Sequence, residues 1–449
     1  MIALLLAVAS LPDWVPARWM SADPASLELL AQTPVNCLLL EPEHWSAALV
    51  EQAKKRGIAT LGVIRPGAEA AALTRRAVES QLTGVVFEGE FAPEVVREAA
   101  TGTSVVEMLP RRGFRPGAAG AVNATNQGVW PGIPMEANGS AKAGPTGSPW
   151  VSTNTGFLLF ARAAGDGPVW IANRPPPGQV LKVENYLQAI CDAAVLGARW
   201  VVALDADFSK RLLEREQGAL QDWKRMAAHL RYFEDHQEWR SLGTHRPVAV
   251  VEDAESGALV SGGLVDMIAV KHNPVRVVPR ARLSDDTLRG ARLVLNLETS
   301  LLDARQKEVL DRFTGGGGMM LTSPPEVKLP ALREEDITLA DSDLKDIDYL
   351  WRGINQVISQ QNLGVRLFHA SGMLSYLLSD GDGKRLVLHL VNYTNYPVEN
   401  VTVRFPDQYA SVRLLTPEGA PKKLETYAMD RGTAVDIDEV PVCATLIVE

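Results

Sequence analysis

The sequence predicts an α/β protein in three parts. A (β/α)8 TIM barrel comes first, then a small flavodoxin-like α/β domain, then a C-terminal β-sandwich. Three observations carry this. Between residues 17 and 205, eight short apolar runs alternate with segments of helical period. Such alternation implies parallel strands joined by right-handed crossovers, and eight strands close into a barrel. Near His245 a shorter strand–helix alternation begins afresh, and beyond Val365 period-two strands follow one another with turn residues between them.

In chain order, Arg18–Met20 reads as a weak first strand, followed by an Asp23-Pro24 helix start. Val35–Glu41 is a buried second strand, with a helix over Ser46–Lys55. Ile58–Ile64 is the third, with a helix over Ala68–Ser80. Thr83–Phe91 holds the fourth, with a helix over Pro93–Ala100. Ser104–Leu109 is the fifth and Gln127–Trp130 a short sixth. Pro168–Asn173 is the seventh, preceded by a helix over Gly156–Ala164. Trp200–Asp205 is the eighth, preceded by a helix over Glu184–Leu196, and a long helical stretch over Ser209–Trp239 closes the unit. Between strands six and seven, Pro131–Trp150 is rich in Gly, Pro, Ala and Ser, and is expected to cover the barrel mouth.

The second part reads as strands Arg246–Asp253, Val275–Pro279 and Ala291–Leu297, then a helix over Asp303–Phe313. The glycines Gly315–Gly318 stop that helix before a strand ending at Thr322, and lack the Lys-Ser/Thr of a phosphate loop. Glu326–Ser359 reads as a linker and a helix. The sandwich strands are Val365–Phe368, Leu374–Ser379, Arg385–Tyr393, Val401–Phe405, Ser411–Leu415 and Ala444–Val448. The expected boundaries are 1–10 for a signal-like segment, 11–243 for the barrel, 244–325 for the middle domain, 326–361 for the linker and helix, and 362–449 for the sandwich.

Composition narrows the function. The 449 residues are 46% hydrophobic and 22% charged, with net charge −9 and no run of Lys or Arg. That argues against nucleic acid as partner and suits an uncharged one. No apolar run reaches the ~18–20 residues of a membrane helix. Cys37, Cys191 and Cys443 form neither a disulfide framework nor a zinc pattern, and read as buried thiols. No cofactor motif and no metal cluster stands out. Met1–Ser10 resembles the apolar part of a secretory signal, although positive leading residues are missing. It implies a secreted or periplasmic protein; without it the expectation is cytoplasmic.

The strand Gly290–Asn296, the helix Asp303–Phe313, the Gly315–Gly318 run and the sandwich strand Leu388–Tyr393 carry a resemblance. A barrel, an amidotransferase-like α/β domain and a small β-sandwich, in that order, resemble the family 42 β-galactosidases and related glycoside hydrolases. The resemblance implies a carbohydrate partner and an acid/base Glu after strand four, usually behind an Asn. It also implies a nucleophilic Glu after strand seven. Here Phe87 and Gly89 precede Glu88 and Glu90, and Asn173 and Arg174 stand at the end of strand seven. The middle domain lacks a Cys/His/Glu set for amidotransfer and is expected to serve structure or homo-oligomerisation.

Glycoside hydrolysis needs two carboxyl groups, one protonated and one ionised. Residues two apart on a strand share a face, so Val86, Glu88 and Glu90 face one way. Strand ends also offer Glu41, Glu107, Asp205 and Asp207. The expected roles are Glu88 as general acid with Glu90 as its substitute, and Asp205 as base across the barrel. Glu41, Trp130, Trp150, Asn154, Asn173, Arg174 and Asp207 are expected to contact substrate. The alternative expectation is a glycan-binding relative that has lost hydrolysis, favoured if no second carboxyl stands within about 10 Å of Glu88.

Overall fold

The computed structural model describes residues 13–115, 121–133, 153–252, 259–297, 301–323, 337, 351–358, 364–381 and 383–449. The signal-like segment, most of the Pro131–Trp150 loop and most of the linker lie outside these residues. The chain divides into two compact units, Met1–Gly128 with Gly165–Asp235, and Val129–Ala164 with His236–Glu449.

In the first unit eight parallel strands pair in sequence order. They are β1 (Pro16–Trp19), β2 (Cys37–Leu40), β3 (Ala59–Ile64), β4 (Gly84–Glu88), β5 (Ser104–Leu109), β6 (Asn123–Thr125), β7 (Val169–Ile171) and β8 (Arg199–Trp200). The ring closes just past β8, where Ala17 and Val202 form a parallel bridge and Arg18 N donates to Val202 O at 2.7 Å. The helices of this unit are α1 (Ala47–Lys55), α2 (Ala70–Glu79), α3 (Pro93–Ala100), α5 (Val183–Ala194), α6 (Ala206–Leu213) and α7 (Gln217–Glu234). The helix between β6 and β7, α4 (Thr155–Ala164), belongs to the second unit. The barrel core alternates along its strands: Cys37 and Leu39, Ala59, Leu61 and Val63, Val86, Val106 and Met108, Val122 and Ala124, Trp170 and Ala172. This period of two is what a pleated strand imposes, and it decides which side chains reach the mouth.

The first and eighth strands are shifted by a few residues from the sequence reading, and three other elements differ in kind or place. The sixth strand is Asn123–Thr125, because those residues complete the ladders to Met108–Leu109 and to Val169–Ile171. Gln127–Trp130 lies past the strand end, where apolar character reflects burial without pairing. The long stretch Ser209–Trp239 splits into α6, α7 and a 3-10 turn over Gln237–Ser241. Arg215, between the helices, has φ +59°, which a continuous right-handed helix excludes. The segment after Asp23 is a 3-10 helix, Pro24–Leu30, capped by the Asp23 carboxylate on Ala25 N.

The second unit contains the middle domain and the sandwich. After β9 (Gly243–Thr244), a parallel sheet forms from β10 (Val248–Glu252), β11 (Val275–Pro279), β12 (Leu293–Asn296) and β13 (Met319–Thr322), in the order β11-β10-β12-β13. That is the flavodoxin-like order 2-1-3-4. Helices α8 (Leu259–Ala269) and α9 (Ala304–Gly315) accompany it, and a further helix spans 351–358. The mostly apolar α8, with Ser261 and Asp266 as its polar side chains, escaped the sequence reading because it has no continuous polar face to show a period. A Cβ on Gly156 of α4 would sit 2.4 Å from the Gly262 carbonyl oxygen, so only glycine allows α4 and α8 to touch there.

Two antiparallel sheets complete this unit. One has the order β14-β17-β21-β20, the other β19-β18-β22-β16-β15-β9. Their strands are β14 (Arg366–Phe368), β15 (Met373–Ser379), β16 (Leu386–Asn392), β17 (Val398–Phe405), β18 (Val412–Leu415), β19 (Lys422–Leu424), β20 (Tyr427–Met429), β21 (Gly432–Val440) and β22 (Cys443–Val448). The strands β19–β21 were not read from sequence. The first two hold only three residues each, and β21 mixes Asp and Glu into its outer end.

One core residue makes the stability of this unit depend on pH. His389 is buried, its Nδ1 lies 2.9 Å from Thr445 Oγ1, and its ring meets Trp239 edge-on. Burial, with the charge of His236 adding to it, pushes its pKa from 6.5 down to about 3. The unfolded chain therefore takes up a proton below pH 6.5 that the folded chain refuses until near pH 3. Stability falls as pH drops through that window. Between pH 6.5 and 4.5 the wild type is expected to lose about 2–3 kcal/mol more than a His389→Gln variant. Urea unfolding at both pH values measures this, and parallel losses in the two proteins would reject it.

Candidate active site at the barrel mouth

Continuing the inward-facing parity past the end of each strand brings six side chains to the mouth: Arg18 (β1), Glu41 (after β2), Arg65 (after β3), Glu88 (β4), Arg174 (after β7) and Asp205 (after β8). The first five form one charged network. Arg18 reaches Glu88 through both terminal nitrogens, one of them in a very short contact, and lies 3.5 Å from Glu41 Oε1. Arg65 grips Glu41 with two hydrogen bonds of 2.8 Å and donates a third of 2.8 Å to Glu88 Oε2. Arg174 Nη2 donates to Glu41 Oε1 at 2.7 Å. The side chains of Arg18 and Glu88 are only 10% and 8% exposed, whereas Arg65 and Arg174 are 43% and 57% exposed.

These contacts decide protonation. Burial pushes the Glu41 carboxyl up, but Arg65, Arg174 and Arg18 together outweigh it and hold the group below its usual range. The hydrogen bond to Glu41 strengthens the hold of Arg65 on its own proton, against the opposing effect of burial. Glu88 accepts hydrogen bonds from two guanidiniums, those of Arg18 and Arg65. The residue expected to be the general acid is thus engaged by two arginines in this structure.

Asp205, the expected base, has a structural part in the barrel. It is buried and works as the N-cap of α6, with Oδ1 accepting from Phe208 N at 2.9 Å. Its Oδ2 accepts from the Tyr186 hydroxyl at 2.7 Å and from Leu181 N at 3.1 Å. Three donors engage the carboxylate, so it has little capacity left to activate a water as base. Glu90 does not join the mouth pair. Gly89 adopts φ +122° and the chain turns, leaving Glu90 exposed with Oε1 beside Gly113 in the turn after β5. Glu107 has the opposite parity and is exposed.

The expected substrate contacts divide. Arg174 and Glu41 line a mouth cleft of about 800 Å³, together with Arg18, Arg65, Asp205 and Asp207. Asp207 is half-exposed and paired with Arg211 one helical turn on, at 2.8 Å. Glu88 lies behind the arginines and is not part of the lining. Trp130 is fully buried and offers no face for stacking. Asn154 is 1% exposed and spends its amide on Val129, accepting from its N and donating to its O. Asn173 donates to the Gly128 carbonyl at 2.6 Å, tying the loops after β6 and β7 together. Trp150 lies outside the described residues. Sequence reasoning singled out Arg174 after the seventh strand but missed Arg18 and Arg65. The signal was present: Arg65 follows Ala59, Leu61 and Val63 in parity, as Glu88 follows Val86.

No family model matches the sequence, and no curated protein matches it. In structure the chain is similar to the α-L-fucosidase isoenzyme 2 of Paenibacillus thiaminolyticus. The TM-score is 0.58 and the identity 10%, over 98% of this chain and 100% of that one. It is also similar to a GH42 β-galactosidase from G. stearothermophilus. There the TM-score is 0.54 and the identity 10%, over 97% of this chain and 98% of that one. At such identity the likeness concerns the fold: this chain is a glycoside-hydrolase-like TIM barrel followed by a C-terminal β-sandwich.

Proposed function

We propose that this chain binds a glycan at its barrel mouth without hydrolysing it. The observation that carries this is the Arg65 guanidinium, which bridges Glu41 and Glu88 while Arg18 braces both. Hydrolysis of a glycoside requires a proton donor beside the scissile oxygen, whereas Glu41 is held below the usual carboxylate range by its arginines and both oxygens of Glu88 are engaged by guanidiniums. The cleft volume, about 800 Å³, suits a small saccharide. Forked guanidinium donors beside carboxylate acceptors match vicinal sugar hydroxyls. The fold it shares with a fucosidase and a β-galactosidase supports a carbohydrate as the ligand class. Export, read from Met1–Ser10, belongs to the same proposal.

One observation favours hydrolysis as a second reading. Arg65 Nη2 is 2.8 Å from Glu41 Oε1 and 2.8 Å from Glu88 Oε2, so these oxygens are at most twice that distance apart. That is close to the ~5–5.5 Å spacing of a retaining pair, and it meets the expectation of a second carboxyl near Glu88. A substrate that drove the half-exposed Arg65 outward would leave the two glutamates facing it.

One experiment separates the readings. Wild type, Glu41→Gln and Glu88→Gln are assayed on aryl fucosides and galactosides, and saccharide binding is followed by calorimetry. Binding without turnover is expected, with affinity weakened about tenfold in Arg174→Ala. Wild-type turnover that disappears in either Gln variant would establish the hydrolase reading instead. Absence of saccharide binding together with absence of turnover would reject both.

A further inference from the structure

We infer that the glycan held at the barrel mouth carries an apolar aglycone, and that one arc of the mouth receives it. The inference rests on the glycan reading above and names the class of glycoside within it. The order of the ring divides the mouth cleft. Strands β7, β8 and β1 are neighbours, since the bridge between Ala17 and Val202 closes the barrel. The chain leaving β7 brings Pro175–Pro177 and Val180 to the cleft, the chain leaving β8 brings Leu204, and Met20 directly follows β1. Next in the ring, Glu41 follows β2 and Arg65 follows β3. One arc is thus mainly apolar and the adjoining one is charged.

The apolar arc leaves large side chains in water. Val180 is 65% exposed, the highest value among the exposed large hydrophobic side chains of the described residues, and Met20 is 48% exposed. Single apolar side chains on a surface are ordinary, but two in one concave site mark a place for an apolar group. The three prolines add ring carbons and no backbone donors, and their fixed φ stiffens the segment. The charged groups that rise from this arc are already engaged. Arg174 pairs with Glu41, and Arg18 with Glu88. Asp205 accepts from three donors, and Asp207 pairs with Arg211 at 2.8 Å. Gln179 is the one further polar side chain that the arc brings to the cleft.

The two arcs ask for different parts of one ligand. A sugar ring, edged with hydroxyls, finds donors and acceptors among the arginines and glutamates. It gains little against Val180, Met20 and the prolines. An alkyl or aryl group gains there in proportion to the apolar area that it removes from water. The cleft, about 800 Å³, has room for both parts, since it lies high in the ~300–1,000 Å³ range of small-molecule sites. A glycoside with an apolar aglycone satisfies both arcs at once.

Calorimetry on the full chain tests this with methyl and hexyl glycosides of galactose, fucose, glucose and mannose, and with hexanol as the sugar-free probe. The hexyl glycoside is expected to bind at least about tenfold more tightly than the methyl glycoside of the same sugar. Met20 and Val180 are exposed, so a Met20→Gln/Val180→Asn variant changes the arc at little risk to the core. It is expected to bring that ratio down to about one, with an unchanged far-ultraviolet dichroism spectrum. Arg174→Ala is expected to weaken both glycosides together and keep the ratio. Equal affinity of the wild type for methyl and hexyl glycosides would overturn the inference and leave the glycan reading standing. A hexyl preference that survives the double variant would overturn it too, since the aglycone would then lie elsewhere. Hexanol bound as tightly as the hexyl glycosides, or no glycoside bound at all, would overturn the glycan reading and this inference with it.

Discussion

Replacing Glu88 by alanine is expected to destabilise the barrel by about 3–5 kcal/mol, the cost of breaking a buried ion pair from one side. The carboxylate is 8% exposed and sits between Arg18 and Arg65. Arg65, at 43% exposure, can turn to water, but Arg18 at 10% cannot. Its remaining acid is Glu41, 3.5 Å away and already shared with two other arginines. The loss is therefore mostly the penalty of an uncompensated buried guanidinium. A paired Arg18→Met/Glu88→Leu variant should recover most of it, because removing both charges also removes their desolvation. Urea unfolding followed by tryptophan fluorescence reads the effect through the buried Trp14 and Trp170 of the barrel core. A Glu88→Ala midpoint equal to that of the wild type would show that the network is solvated and contributes nothing to stability.

The second large effect is expected at Asp205. Alanine there removes the cap of α6, typically about 1 kcal/mol. It also strands the Tyr186 hydroxyl and Leu181 N, buried donors each worth roughly 1–3 kcal/mol when left unmade. A total of about 3–7 kcal/mol is expected. Asparagine should not rescue it fully: whichever oxygen becomes an amide nitrogen then faces a donor, either Phe208 N or the pair from Leu181 and Tyr186. The same unfolding measurement decides, and an Asp205→Asn protein as stable as the wild type would contradict this account. Any loss of function in that variant would report on the loop after β8, not on a missing catalytic base.

Both effects show where sequence and structure part. The period-two alternation of apolar residues was readable, and with it the number and order of the barrel strands. The strand-end positions of Glu41, Glu88, Asp205 and Asp207 followed from it. What each acid does was not readable. Asp205 looked like a mouth acid because it ends an apolar run, yet an Asp at that point is equally an N-cap. Only the three donors around it decide between the two. Trp130 looked like a sugar platform because it sits by a loop, but burial belongs to the surroundings of a side chain.

The sequence by itself determined the parity of the barrel strands other than the sixth, the strand–helix order and the restart near His245. These depend on local periodicity, which neighbours along the chain impose. Tertiary structure decided which charges meet. Arg18 and Glu88 are seventy residues apart and touch because the ring closes between Ala17 and Val202. Parity brings Glu41, Arg65 and Arg174 to the same rim from three different strands. A carboxylate keeps or loses its proton according to what lies within a few ångströms of it. That neighbourhood exists only once the barrel has closed.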